Sequence, residues 1–126
     1  MGTELPTVHE KVRPSTTALR GRKAFAELRR SKRRAWSGPV RVQFVPAEPD
    51  DLSRHVAFAV PRRVGTAVKR NRCRRRLRAV VVETQAALPA GNYLVGIDQG
   101  VHDLPFYELR ARVIEAMQRA SQAVAR

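Results

Sequence analysis

Lys69-Arg70-Asn71-Arg72-Cys73-Arg74-Arg75-Arg76-Leu77-Arg78 holds seven cations in ten residues, and no acid stands between Asp51 and Glu83. The chemistry open to such a run is anion recognition. Arginine dominates it, and a planar forked guanidinium suits bidentate phosphate contact and stacking on bases better than a diffuse charge does. Like charges at i, i+4 cost a helix roughly a few tenths of a kcal/mol per pair. A chain that keeps several such pairs without acidic neighbours is built to meet a dense anion. A merely solvated face accounts for mixed-sign runs, not for a single-sign one.

The element that must position these cations is a helix. Gly65-Thr66 precedes the run and Val80-Val81-Val82 follows it, which predicts a helix from near Thr66 to about Ala87. At about 100° per residue, Cys73, Leu77, Val80, Val81 and Thr84 fall in one sector. Arg70, Arg74 and Arg78 follow one another at i, i+4, i+8 as a ridge beside that seam. The helix is thus pinned along one stripe and turns its guanidiniums outward.

The 126 residues suffice for one domain with a modest core, and 43% of them are hydrophobic. The formal charge of +14 points to nucleic acid as partner. Residues 1–78 carry 21 bases and 6 acids, residues 79–126 only 4 and 5, so the last third is mostly scaffold. One cysteine rules out an internal disulfide and a cysteine-cluster zinc site, and Cys73 falls on the buried seam. Met1 to Lys11 lacks the apolar core of a signal peptide, and no run is long enough to span a membrane. A cytoplasmic location is the expectation.

Residues 1–14, with Pro6 and Pro14 and no periodicity, read as a flexible tail before a domain over 15–126. Ser15-Thr16-Thr17 offers caps for a first helix from Ala18 or Arg22 to Arg30, with Leu19, Phe25 and Leu28 apolar. Cations from Arg20 to Arg34 form a second basic cluster around it. Trp36 follows, and Ser37-Gly38-Pro39 reads as a break. Val40 to Val45 alternates as a strand with Val40, Val42 and Phe44 on one face, and His55 to Val60 is another. Tyr93 to Ile97 reads as an internal strand. Asp103-Leu104-Pro105 opens a last helix, where Phe106, Leu109, Val113, Met117 and Ala120 recur as a core stripe. The fold class is α+β, an α-β sandwich of order αβββαβα with helices packed on a small sheet. Residues 55–97 form a βαβ unit with the basic helix as its crossover.

No set of residues argues for an active site in the polypeptide. His9, His55 and His102 are scattered over a tail, a strand and a loop, with no partner at metal-ligand spacing. Asp50-Asp51 reads as a surface turn. No metal site is expected.

The stretch Arg62-Arg63-Val64-Gly65-Thr66-Ala67-Val68-Lys69-Arg70-Asn71-Arg72-Cys73-Arg74-Arg75-Arg76-Leu77-Arg78 closely resembles the signature region of the bacterial ribonuclease P protein component. Phe25 and Leu28 on the upstream helix and the Leu104-x-Phe106-x-Glu108-Leu109-Arg110 opening of the last helix support the resemblance, which covers about residues 18–120. It implies a left-handed βαβ crossover, against the general rule. It also implies a catalytic RNA that cuts the 5′ leader from precursor tRNA with Mg2+, the protein itself holding no cofactor. One protein would pair with one RNA. Arg62, Arg63, Lys69, Arg70, Asn71, Arg72, Arg74, Arg75 and Arg78 would then contact the catalytic RNA. Phe25, Arg29, Arg41 and Gln43 would line the leader cleft, Arg41 and Gln43 from the exposed face of their strand. Arg29 stands where the family often carries a second aromatic, which shifts leader binding toward charge. Phe25 is open between core and cleft, and Trp36 between a lid on the sheet and a stacking platform. The alternatives are a general RNA-binding or ribosomal protein without a role in cleavage, and a DNA-binding factor with its basic helix in a groove.

Overall fold

A computed structural model describes residues 22–84 and 87–122. The expected tail over 1–14, the caps at Ser15-Thr16-Thr17 and Leu19 lie outside the described residues. The elements are α1 (Arg22–Arg30), β1 (Arg34–Ser37), β2 (Val40–Pro46), β3 (Arg54–Ala59), α2 (Ala67–Thr84), β4 (Gly91–Ile97) and α3 (Phe106–Gln122). Single 3-10 turns at Arg62–Val64 and Val101–Asp103 lead into α2 and α3. The order αβββαβα is the expected one. Ser37-Gly38-Pro39 is not a break, however. Ser37 pairs with Val40, and Gly38-Pro39 is a two-residue hairpin loop with Gly38 at φ +59°. Glycine first in such a loop supplies the positive φ that matches strand twist, so Arg34–Ser37 becomes a strand.

The sheet runs β1-β2-β4-β3. β2 pairs antiparallel with β1 and β4, and β3 lies parallel to β4. β4 is therefore internal, as its apolar run required, and α2 is the crossover of a β3-α2-β4 unit. Period-two alternation sends Val40, Val42 and Phe44 to one face with Val56, Tyr93 and Val95. That face packs on α2 through Cys73, Leu77, Val80 and Val81, and on α3 through Leu109, Val113, Met117 and Ala120. Phe44 and Tyr93 are register partners with ring centroids 4.7 Å apart. The Tyr93 hydroxyl, carried inside, donates to the Pro89 carbonyl at 2.6 Å. α1 crosses the opposite face over β2 and β4, burying Leu28 and, beneath it, Leu94.

The wheel drawn for α2 holds: its four seam residues are buried and Thr84 is half-buried. The core stripe of α3 holds except at its first member. Phe106 is 43% exposed, because helical spacing carries the stripe one turn past the core it packs on.

Leu77→Ala empties a fully buried place on the seam and should lower the unfolding free energy by about 2–5 kcal/mol. Arg72→Ala, on the solvent side of the same helix, should leave the denaturation midpoint unchanged. Burial pushes the Tyr93 phenol well above its ordinary range. Above about pH 10 the unfolded phenol ionises while the folded one keeps its proton, so stability should fall as pH rises from there. Denaturation curves across that range should lose this component in Tyr93→Phe.

Candidate nucleic-acid interface

The basic helix is set in place before its arginines begin. Pro61 ends the β3 segment, and the turn Arg62–Val64 closes with Val64 N–H on the Pro61 carbonyl and Gly65 N–H on the Arg62 carbonyl. Val64 is buried and anchors the turn. Gly65 takes φ +152°, a conformation open to glycine, with the Lys69 stem over it. Thr66 Oγ1 then accepts the Lys69 N–H at 3.3 Å, satisfying one of the free donors of the first turn.

From this start the seam faces the sheet and the cations face out. Arg62, Lys69, Asn71, Arg72, Arg75 and Arg78 are exposed, while Arg70 and Arg74 are half-buried at the border. Arg70 Nε donates to the Gly65 carbonyl at 3.3 Å, and Arg74 Nη1 to Asn71 Oδ1 at 3.1 Å. Among the described residues no carboxylate lies within ion-pair distance of any cation from Lys69 to Arg78. Arg63 differs. Its Nε meets Asp98 Oδ1 at 2.7 Å, which holds the guanidinium proton more firmly and keeps the Asp98 carboxyl below its usual range. Arg76, in the middle of the run, is also engaged within the protein, donating to the carbonyls of Leu104 and His102. Cys73 lies beneath the arginines, and burial raises its thiol pKa against their opposing pull.

A second cationic feature opens on the other face of the sheet, beyond the edge of α1. Cross-strand register aligns Trp36, Arg41, Gly96 and Ala59 in one row. A Cβ on Gly96 would stand 3.0 Å from Arg41 Nη2, so the guanidinium lies across bare backbone. With Pro61, Arg63 and Asp98 this row lines an open concavity of about 430 Å3. Trp36 is 54% exposed at its rim.

The other cleft residues do not all join it. Gln43 corrects the expectation of an exposed strand face. It is only 4% exposed, covered by α1, and its Nε2 donates to the Arg29 carbonyl at 3.1 Å. α1 had no visible claim on that face in the sequence, where alternation alone assigned it to solvent. Arg29 itself is exposed on α1, and Phe25 is half-buried there, outside the main core cluster. Sequence reasoning passed over Gly96, Asp98 and the strut role of Arg76. A cross-strand register was needed for the first, and none was legible from spacing.

The remaining titratable candidates are structural. Asp51 Oδ1 accepts the Ser53 N–H and hydroxyl in an exposed loop, which lowers its pKa. His102 Nε2 lies 3.2 Å from Asp103 in the turn before α3. Among the described residues no group of three or more His, Cys, Asp or Glu side chains could hold a metal ion. No described helix is long and apolar enough to cross a membrane.

A family model described as Ribonuclease P matches residues 14–121. The ribonuclease P protein component of Symbiobacterium thermophilum is 46% identical over 66 residues, which span 52% of this chain and 57% of that one. The corresponding component of Mycoplasma pneumoniae is 34% identical over 104 residues, 82% of this chain and 87% of that one. In fold, a mutant of the Staphylococcus aureus RNase P protein is similar at a TM-score of 0.75 and 15% identity, over 94% of this chain and 98% of that one. The sheet order, the arginine-bearing crossover helix and these matches agree, and the chain belongs to the ribonuclease P protein family.

Proposed function

We propose that the chain, as the protein subunit of ribonuclease P, binds the catalytic RNA and the 5′ leader of precursor tRNA and so assists removal of the leader. The observation that carries this reading is the outward stripe of α2, with Arg72, Arg75 and Arg78 exposed and no carboxylate from the described residues set against it. In this reading Lys69, Arg70, Asn71, Arg72, Arg74, Arg75 and Arg78 meet the RNA, with Arg62 and Arg63 on the flank. The leader crosses the open sheet face, where Arg41 takes a phosphate and Phe25 and Arg29 border the path on α1. Trp36 offers a ring at the rim of the same face.

The polypeptide's part is electrostatic. Each phosphate it neutralises releases condensed counter-ions, and cationic cover lessens repulsion within a folded RNA. Mg2+ is held by the RNA, and less of it is needed when the protein supplies part of the positive charge. A complex of one protein with one RNA in the cytoplasm satisfies this scheme.

Reconstitution with a bacterial ribonuclease P RNA at low magnesium should raise cleavage of precursor tRNA well above that of the RNA alone. No gain over the RNA alone would sink the reading and leave a general RNA-binding protein. In the same system Arg72→Ala should weaken RNA binding and flatten the plot of log K against log salt by about 0.7–0.9. Arg41→Ala should leave that binding intact and weaken capture of leader-bearing substrate about tenfold or more, as expected for a charge-assisted hydrogen bond worth ~1.5–3 kcal/mol. A substrate with its leader cut to a stub should not register the change.

A further inference from the structure

Phe106 and Tyr107 stand side by side in the first turn of α3, 43% and 74% exposed. Two contacts fix where they lie. Arg76 of α2 donates to the carbonyls of His102 and Leu104, just before α3, and Arg110 Nε of α3 meets Glu83 Oε1 of α2 at 2.6 Å. Arg76, Ala79 and Glu83 follow one another along a single line of α2. The first turn of α3 therefore runs beside that line, between the Arg76 and Glu83 contacts and so near Ala79. Ala79 is exposed and too small to cover the rings. Arg72 and Arg75 precede Ala79 by seven and four residues, on the same side of α2. Arginine stripe and aromatic pair form one continuous surface.

We propose that Phe106 and Tyr107 are a nucleobase-stacking platform for the RNA whose phosphates the α2 arginines grip. The proposal rests on the reading of α2 as the catalytic-RNA contact and adds to it a second kind of contact. Proteins that engage folded RNA beyond its phosphates do so at unpaired bases, splayed onto aromatic rings or guanidinium planes. Here both are present, the rings on the turn that Arg76 and the Arg110–Glu83 pair tie to α2, whose same side carries Arg72 and Arg75. Of the nearby acids, Glu83 pairs with Arg110 and Glu108 with Arg112, so each of these two carboxylates has a guanidinium against it. An anionic polymer with aromatic faces is the occupant that this surface complements. It is not the leader's path: α2 and α3 cover the core face of the sheet, and the Arg41 row opens on the opposite face.

The test is the affinity of the full chain for a bacterial ribonuclease P RNA across a salt series. Tyr107→Ala, and the double variant with Phe106→Ala, should bind about 5- to 150-fold more weakly, the loss expected where stacking is worth ~1–3 kcal/mol per base. The slope against log salt should stay at the wild-type value, because no phosphate contact is removed. Tyr107→Phe and Tyr107→Trp should restore affinity. Phe106 is less exposed than Tyr107, so thermal melts accompany the double variant, while Tyr107→Ala reports on binding without that complication. Wild-type affinity in Tyr107→Ala and in a folded double variant would overturn the platform alone. Failure of the α2 reading is separate, and would show as Arg72→Ala binding like wild type with an unchanged salt slope.

Discussion

A helix with Arg70 over Arg74, Arg72 over Arg76 and Arg74 over Arg78 is at odds with itself in water. Each such pair costs about 0.2–0.5 kcal/mol. Against that stand Leu77, Val80 and Val81, fully buried on the sheet, each contributing about 1.5–3 kcal/mol. The apolar seam wins by a wide margin, and everything cationic about this protein depends on it. Tertiary burial, not helix propensity or charge pairing, holds the segment helical while its outer side stays free for a partner. The margin also explains why few ion pairs are used there. Acids placed to soothe the helix would have neutralised the surface it exists to present.

The sheet separates two cationic surfaces, one on each of its sides. On the core side α2 and α3 run next to each other, tied by Arg76 and by the Arg110–Glu83 pair. On the other side α1 covers part of the surface and leaves the Trp36-Arg41-Gly96-Ala59 row open. Arg63 stands between the two, on the turn that joins β3 to α2, and its pairing with Asp98 braces that junction against the end of β4. Under the proposed function, a protein of this size would meet two separate strands of nucleic acid without a second domain, using one layer of strands as the partition.

Much of this was legible in advance because the signals were local. The seam of α2 follows from helical spacing alone, and the internal β4 from an unbroken apolar run. The family signature in 62–78 is a matter of order as well as composition. What escaped the sequence was relational. Gln43 alternates like a solvent-facing residue, and only the docking of α1 buries it. Phe106 keeps the spacing of a core stripe, yet the core ends one turn sooner. Arg76 looks identical to its neighbours, and its task is set by two carbonyls nearly thirty residues away. The Arg34–Ser37 strand was hidden by brevity, although Gly38-Pro39 between short alternating runs carried the hairpin signal.

The burial of Cys73 has a consequence for redox chemistry. A thiol ringed by Arg72, Arg74 and Arg76 would ordinarily be driven toward its thiolate, the species that attacks disulfides and peroxides. Enclosure on the seam overrides those charges and raises the pKa instead. The helix can therefore hold sulfur among guanidiniums without making it a nucleophile. Oxidants that would cross-link an exposed cysteine on so cationic a surface find no reactive sulfur there.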